Sequence, residues 1–477
     1  MAYLAIRGCG AINAVSRLHA SVSRRIFQRL FPRWPETGVP VSFVTNGIHT
    51  PSWDSAAADK LWTEAAGQER WRGAVEKLGE SIRHLGDATL WDLRAANRLE
   101  LVHYVRERLG TELAARGRDS SIAQSVFDPN ALTLGFAHRF TEYKRPNQLL
   151  HDPERLIRIL TNPDRPVQLV IAGKAHPEDE RGQSMVQAWV RFVNRPEVRR
   201  HAVFLSDYDL LVAERLVQGA DLWINTPRRP WEACGTSGMK ILVNGGLNLS
   251  ELDGWWAEAY SPEVGWPLGD GHEHGEDPGW DAAEADTLYA ILEQQVIPEF
   301  YARDHHGIPA QWVSKMRESM VRLAPRFSAN RTLREYTDGY YVNAASAYRE
   351  RAANRGALVG PLLAWKDALS QHWAGLRFGE LQLTTREETH TMVVQVYLGD
   401  LTPEQVQVEV YANSSESQEP FKQEMICGNP LAGSARAFVY SAEVPASRPA
   451  SDYTPRIIAK RPVARIPLEE GHILWFR

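Results

Sequence analysis

The sequence predicts an α/β domain built on a parallel sheet, followed by a separate all-β domain. From about Leu132, short apolar runs (ALTLGFA, PVQLVIAG, HAVFLS, ADLWINT) alternate with helix-period stretches such as SMVQAWVRFV and LLVAERLVQG, the pattern of strands buried on both faces between crossover helices. From about Gly379, the runs GELQLTT, HTMVVQVYLG, VQVEVYAN, ARAFVYSAEV and YTPRIIAK alternate apolar and polar residues between Pro and Gly turns, the pattern of an antiparallel β-sandwich. A chain of 477 residues also exceeds what a single hydrophobic core ordinarily holds.

Taken in order, residues 10–31 (GAINAVSRLHASVSRRIFQRLF) repeat apolar positions at helical spacing until Pro32 and Pro35, which predicts one amphipathic helix. After the loop VTNGIHTPSW, the stretch from Ala56 to Arg116 is rich in strong helix formers and reads as several helices. The α/β domain is expected from about Leu132 to Arg326. Helical patterns resume near Asp286 and run to about Ala353, where Gly356, Gly360 and Pro361 mark a boundary before Gly379.

Hydrophobic residues at 43% and charged residues at 24% place the chain among folded globular proteins rather than disordered, fibrous or membrane ones. A net charge of -5 offers no bulk attraction for nucleic acid. The opening MAYLAI is broken by Arg7 and Gly8, too short for a membrane span. Residues 1–35 contain no acidic side chain, a trait shared with organellar transit peptides. Cys9, Cys234 and Cys427 have neither disulfide nor zinc-ligand spacing, and a reducing cytoplasm fits them best. Sixteen tryptophans suit either core packing or stacking on sugar faces.

Two blocks carry chemistry. WEACGTSGMKILVNGG follows the strand ADLWINT, and a Gly/Ser/Thr turn entering a helix gathers free N–H groups into an anion site. Glu232 and Lys240, eight positions apart, can approach one ligand from the loop and from the helix. HRFTEYKR adds Arg139, Lys144 and Arg145 after another strand, side chains suited to phosphate oxygens. Spacing alone leaves a second reading open, a tight turn and a solvated basic loop. HEHGE at 272–276 lacks helical ligand spacing and reads as a polar loop without a metal. No base is identifiable beside Cys234, so it is not read as a nucleophile.

EACGTSGMK resembles the pyridoxal phosphate lysine motif of the α-glucan phosphorylases, above all the short bacterial type that reads EASGTSGMK. The resemblance extends through NGIHTPSW, FAHRFTEYKRPNQLL, VIAGKAHPEDERGQ, FLSDYDLLVAERLVQGADLWINTPRRP and NGGLNLSELDGWWAE, roughly Ala11 to Tyr341. It implies phosphorolysis of α-1,4-glucan (glycogen, starch or maltodextrin) to glucose 1-phosphate with retention, using pyridoxal 5'-phosphate. It further implies that Lys240 attaches the cofactor and that Thr236 and Ser237 donate to the cofactor phosphate. Arg139 would bind orthophosphate, Lys144 would lie beside both phosphates, and Glu232 and Gly235 would contact glucosyl hydroxyls. Arg139, Lys144 and Glu232 are thus the expected catalytic residues. Cys234, in the substrate-contacting loop, stands where relatives carry serine. His138 stands where relatives direct a lysine or arginine at the cofactor phosphate.

The implied fold is the two-Rossmann-like-domain glycosyltransferase architecture with most of the first domain missing, plus the C-terminal all-β domain. On that reading residues 1–50 are the tail of an N-terminal glucan-binding domain and 51–131 a helical connecting region. Residues 132–345 form the Rossmann-like cofactor and phosphate domain with crossing helices, 346–378 a linker, and 379–477 the β-sandwich. Relatives place a further large region before the part that matches, so this chain by itself is expected to bind the cofactor weakly and to show little phosphorolysis. The expected partners are glucan and orthophosphate, without nucleic acid or membrane, and a homo-oligomer is compatible with the reading. Two other functions fit parts of the sequence: a glycosyltransferase of the same architecture using a nucleotide-sugar donor, and a noncatalytic glucan-binding chain.

Overall fold

The computed structural model describes residues 1–414, 420–431, 433–434 and 436–477. It divides into two compact units, one of Val15–His19 with Phe43–Glu335, the other of Met1–Ala14, Ala20–Ser42 and Tyr336–Arg477.

The first unit is organised by six strands: β1 (Leu132–Ala137), β2 (Val167–Ala172), β3 (Ala202–Leu205), β4 (Leu222–Asn225), β5 (Leu247–Glu251) and β6 (Gly265–Leu268). Their spatial order is β3-β2-β1-β4-β5-β6, and every neighbouring pair is parallel. β1, β2 and β4 are buried at every position, which is why they read as unbroken apolar runs. The order reverses direction between β1 and β4, the position at which loops leaving the carboxyl ends of parallel strands ordinarily diverge to form a ligand crevice. Asp152, Asp179 and Asp209 start the helices Pro153–Leu160, Glu180–Val193 and Leu210–Gly219 by accepting backbone N–H groups, the usual N-cap device.

β5 and β6 are not among the expected strands. β5 buries Asn248, Ser250 and Glu251, so it lacks an apolar signature, and β6 is four residues long and contains Pro267. The buried side chains of β5 are held by specific partners: Asn248 Nδ2 donates to the Gly238 carbonyl at 3.0 Å, while its Oδ1 accepts no hydrogen bond among the described residues, and Glu251 pairs with Arg145 at 3.1 Å. At the opposite ends of the strands, Arg94 and Arg98 of the helix Asp87–Ala115 converge on Asp221 at 3.2 and 2.8 Å. Asp221 also accepts the Thr133 N–H at 2.9 Å. This buried cluster ties the long helix to the amino ends of β1 and β4.

The single helix expected over residues 10–31 is shorter. It spans Arg17–Phe27, followed by one turn at Gln28–Leu30, while Asn13–Ala14 is extended. Ser16 Oγ accepts the His19 N–H at 3.2 Å, and a serine in that position starts a helix rather than continuing one.

In the second unit, β7 (Arg377–Arg386), β8 (Thr389–Tyr397), β9 (Val406–Ala412), β10 (Phe421–Glu424), β11 (Ile426–Pro430), β12 (Ala437–Pro445), β13 (Thr454–Ala459) and β14 (Ile473–Trp475) form two antiparallel sheets. Their orders are β11-β12-β8-β7 and β10-β9-β13-β14. Every second residue of β8 is buried, and Met392, Val394 and Val396 share a core with Val408, Val410 and Ile457 from the other sheet. Residues 346–378, expected as a linker, are largely helical (Val342–Gly356, broken by a kink at Ala353, Asn354 and Arg355, and Val359–His372). Trp365, Leu369 and Trp373 pack into the sandwich core. Pro361 is tolerated because it lies in the first turn of its helix. A further core joins Phe31, Trp34, Val39 and Val41 to Ile458 and Ile473.

Candidate active site

The loop after β1 supplies His138 to Arg145. His138 is buried between Phe136 and Trp223, with ring centroids at 4.9 and 6.2 Å. Burial first, and then the charge of Lys144, pulls its pKa down to about 3, so the imidazole is neutral. Its Nε2 lies 3.2 Å from the Ile224 carbonyl of β4, which only accepts, so Nε2 carries the single proton. The other ring nitrogen is then an acceptor. Neutral and bonded in this way, His138 joins β1 to β4 and has no proton to offer a phosphate oxygen.

Arg145, one of the basic residues of this loop, is a buried structural hub. Its Nε donates to the Thr226 carbonyl at 2.9 Å and Nη2 to the Pro227 carbonyl at 2.9 Å. Its guanidinium pairs with Glu251, Asp281 and Glu284. Burial, followed by the neighbouring Glu284, pushes Glu251 up to about 10, so the Glu251 carboxyl holds its proton at neutral pH. The hub locks the loop after β1 to the loop after β4, and the adjacent residue, Lys144, faces the crevice.

Lys144 Nζ forms an ion pair with the Glu232 carboxylate. Burial draws Lys144 down to about 8, Asp253 works against that shift and Arg139 with it. Arg139 is exposed and makes no ion pair among the described residues, leaving its guanidinium available to a ligand anion. Asp253 was not foreseen. Buried beyond the end of β5, it accepts the Glu232 N–H at 2.9 Å and the Gly254 N–H at 2.7 Å. Burial raises it to about 7, with the Gly254 N–H and then Arg229, Lys144 and Arg145 opposing.

The loop Glu232–Thr236 is held from below by the turn that follows β5. Trp255 N–H donates to the Cys234 carbonyl at 2.9 Å, and Gly254, at φ +50°, leaves no room for a side chain, since a Cβ there would lie 2.3 Å from that carbonyl oxygen. Gly235, at φ +84°, leaves little room beside the Glu232 side chain, since a Cβ there would lie 3.3 Å from Glu232 Cγ. The Cys234 thiol is buried in the core and burial pushes it up to about 12. Only the backbone of Cys234 is left to meet a ligand.

Thr236 precedes a helix of one turn, Ser237–Lys240. Ser237 Oγ accepts the Trp223 indole N–H at 3.2 Å and lies 3.4 Å from Asn225 Oδ1. Lys240 is half-buried, burial lowers its pKa, and its Nζ sits 3.5 Å from the centroid of the Trp53 ring. Among the described residues it has no carboxylate partner. Lys144 and Glu232 are therefore in contact, with Gly235 against them. Ser237 and Lys240 follow in the short helix, and among the described residues Lys240 Nζ makes no ion pair, its contact being the Trp53 ring. In the 272–276 loop, His274 pairs with Asp270 at 3.0 Å and stacks on Trp280 at 3.6 Å, and among the described residues no three His, Cys, Asp or Glu side chains are grouped to hold a metal.

The carbohydrate phosphorylase family profile matches residues 1–265, which contain every side chain of this site except Asp281 and Glu284, the two outer carboxylates of the Arg145 hub. The chain belongs to the carbohydrate phosphorylase family. This phosphorylase-family chain is 36% identical over 484 residues to a glycogen phosphorylase of Mycobacterium tuberculosis (strain ATCC 25618 / H37Rv), covering 99% of the chain and 56% of the relative. It is 39% identical over 342 residues to a glycogen phosphorylase of Aquifex aeolicus, covering 71% and 49% respectively. It is 35% identical over 413 residues to a maltodextrin phosphorylase of Thermococcus litoralis, covering 86% and 48%. The phosphorylase-family chain thus spans about half the length of the curated relatives it matches. Among its described residues no helix is long and apolar enough to cross a membrane.

Proposed function

We propose that this chain carries the cofactor and phosphate side of the active site of an enzyme that phosphorolyses α-1,4-glucan to glucose 1-phosphate with retention, in the cytoplasm. The observation that carries the reading is the Lys144–Glu232 pair at the point where the sheet order reverses, with the unpaired cations Arg139 and Lys240 on either side of it in sequence. The names of its relatives, glycogen and maltodextrin phosphorylases, support the same substrate class.

The residues fit pyridoxal phosphate. Lys240 is an amine made easier to deprotonate by burial, free of any carboxylate and set against an aromatic face, as covalent attachment requires. Thr236 and Ser237, at the start of the short helix, offer hydroxyl and N–H groups to its phosphate. Bound there, the cofactor would supply a phosphate group able to exchange a proton with orthophosphate. The remaining chemistry belongs to the chain. Arg139 holds orthophosphate with its planar donor set. Lys144, at about 8, is mainly protonated at neutral pH and supplies a fixed positive charge where negative charge gathers as the glycosidic bond breaks. Glu232, turned toward a sugar, accepts from a glucosyl hydroxyl, and its backbone stays in place because Asp253 holds the N–H.

The test is spectral titration with pyridoxal phosphate, borohydride trapping with peptide mapping, and assay of glucose 1-phosphate release from glycogen and orthophosphate. The expected results are weak trapping at Lys240 that disappears in Lys240→Ala, and a small release of glucose 1-phosphate that falls further in Arg139→Ala. Trapping spread over other lysines and unaffected by Lys240→Ala would refute the assignment. It would return the chain to the nucleotide-sugar or noncatalytic readings.

A further inference from the structure

Of the sixteen tryptophans, Trp231 is the one whose ring is largely exposed, at 56%, and it immediately precedes Glu232. A large apolar face left in water beside a polar crevice calls for an occupant. The ring cannot retreat by a local backbone shift. Trp231 N–H donates to the Arg228 carbonyl at 2.8 Å, and Arg228 N–H donates to the Tyr143 carbonyl at 2.6 Å. The Arg228 guanidinium is held by both oxygens of Asp281 at 3.0 and 2.7 Å. On the other side, Glu232 N–H is fixed by Asp253.

Tyr143 completes the surface. Its ring centroid is 6.4 Å from that of Trp231 with the planes at 31°, too far apart for the two rings to cover one another. Lys144 Nζ lies 5.2 Å from the Tyr143 ring. The two aromatic residues therefore flank the Lys144–Glu232 pair, each directly preceding one member of it in sequence.

We propose that Trp231 is a stacking platform for a glucosyl unit of a linear α-glucan at the mouth of this site, with Tyr143 as its side wall. The inference rests on the proposed function and adds a substrate contact to it. A pyranose suits the surface because its axial C–H face is apolar and its rim is hydroxylated. Stacked on the indole, its hydroxyls are within the province of Glu232 and the Tyr143 hydroxyl. A neutral ligand is favoured over a second anion because Lys144, the cation beside the Tyr143 ring, is already paired with Glu232.

The experiment titrates maltoheptaose into the full chain by calorimetry and follows iodide quenching of tryptophan fluorescence, which reports the exposed indole. The expected result is protection from iodide on binding, affinity reduced about tenfold by Trp231→Ala, the scale of one good aromatic contact, and most of it kept by Trp231→Phe. Unchanged maltoheptaose affinity in both variants overturns the platform and leaves the proposed function standing. Failure of the unaltered chain to bind maltoheptaose overturns the platform, and trapping at Lys240 then decides the proposed function separately. Protection of Trp231 that persists in Lys240→Ala supports the platform whatever the outcome of cofactor trapping.

Discussion

At the residue scale, the site depends on charges whose protonation is set by burial. Lys144 titrates at about 8 instead of 10.5, with Asp253 opposing the shift. Competitive acylation read by mass spectrometry is expected to show Lys144 reacting half-maximally near pH 8, and lower still in Asp253→Asn, which removes the opposing negative charge. Reaction only near pH 10.5 would show that burial does not control this amine. His138 is shifted in the same direction, over a lower pH range. Its folded value of about 3 lies below the ordinary 6.5, so between those values the unfolded chain binds more protons and stability falls as pH falls. Urea unfolding of the unaltered chain and His138→Asn should therefore differ less at pH 5 than at pH 7, by about 2 kcal/mol. Asp253, raised to about 7, has the reverse slope, and comparison with the variant removes its contribution.

At the scale of elements, the short turn after β5 governs the loop that bears Glu232. Gly254→Ala places a Cβ 2.3 Å from the Cys234 oxygen at φ +50°. Positive φ in a residue with a side chain costs roughly 1–2 kcal/mol before any clash. The expected outcome is a loss of more than that in denaturant melts, together with reduced trapping of pyridoxal phosphate at Lys240, because the loop must move. A melt indistinguishable from the unaltered chain would mean the clamp is slack. Away from the site, Asp209 caps Leu210–Gly219 by accepting the Val212 N–H at 2.9 Å, and Asp209→Ala is expected to cost about 1 kcal/mol with trapping at Lys240 unaffected.

Across the whole molecule, the two ends of the parallel sheet do different work. The carboxyl ends hold the site, and the amino ends hold Asp221 between Arg94 and Arg98. Asp221→Asn leaves two buried guanidinium groups without their carboxylate, a loss expected near 3 kcal/mol. Below the melting temperature cofactor trapping should be retained. Loss of trapping in a folded Asp221→Asn chain would show the two ends to be coupled. In the other unit, Phe31 and Trp34 are buried with Ile458 and Ile473, so removing residues after 376 should bare an apolar surface that binds a hydrophobic dye.

Several features follow from neighbouring residues alone. Unbroken apolar runs announce strands buried on both faces, alternation announces the sandwich, and the strings HRFTEYKR and EACGTSGMK place cations and a lysine after strands. Periodicity is a local property, which makes it readable in one dimension. The tertiary structure decided the rest, since each remaining feature depends on partners far along the chain. Lys144 meets Glu232 across 88 positions. β5 is a strand despite its buried polar residues because Gly238 holds Asn248 and Arg145 holds Glu251. The residues 346–378 pass as a linker by their Gly and Pro content, yet they become helices where Trp365, Leu369 and Trp373 find the sandwich core. Arg145 and Lys144 are adjacent and both basic, and only the fold buries one among carboxylates and leaves the other at the crevice. His138 is an imidazole near a phosphate motif in sequence, and burial, with the charge of Lys144, makes it neutral against the opposing pull of the Ile224 carbonyl. The sequence sets Trp231 beside Glu232, and only packing shows that this one of the sixteen tryptophans is exposed, because burial is a property of the space around a side chain and not of the side chain itself.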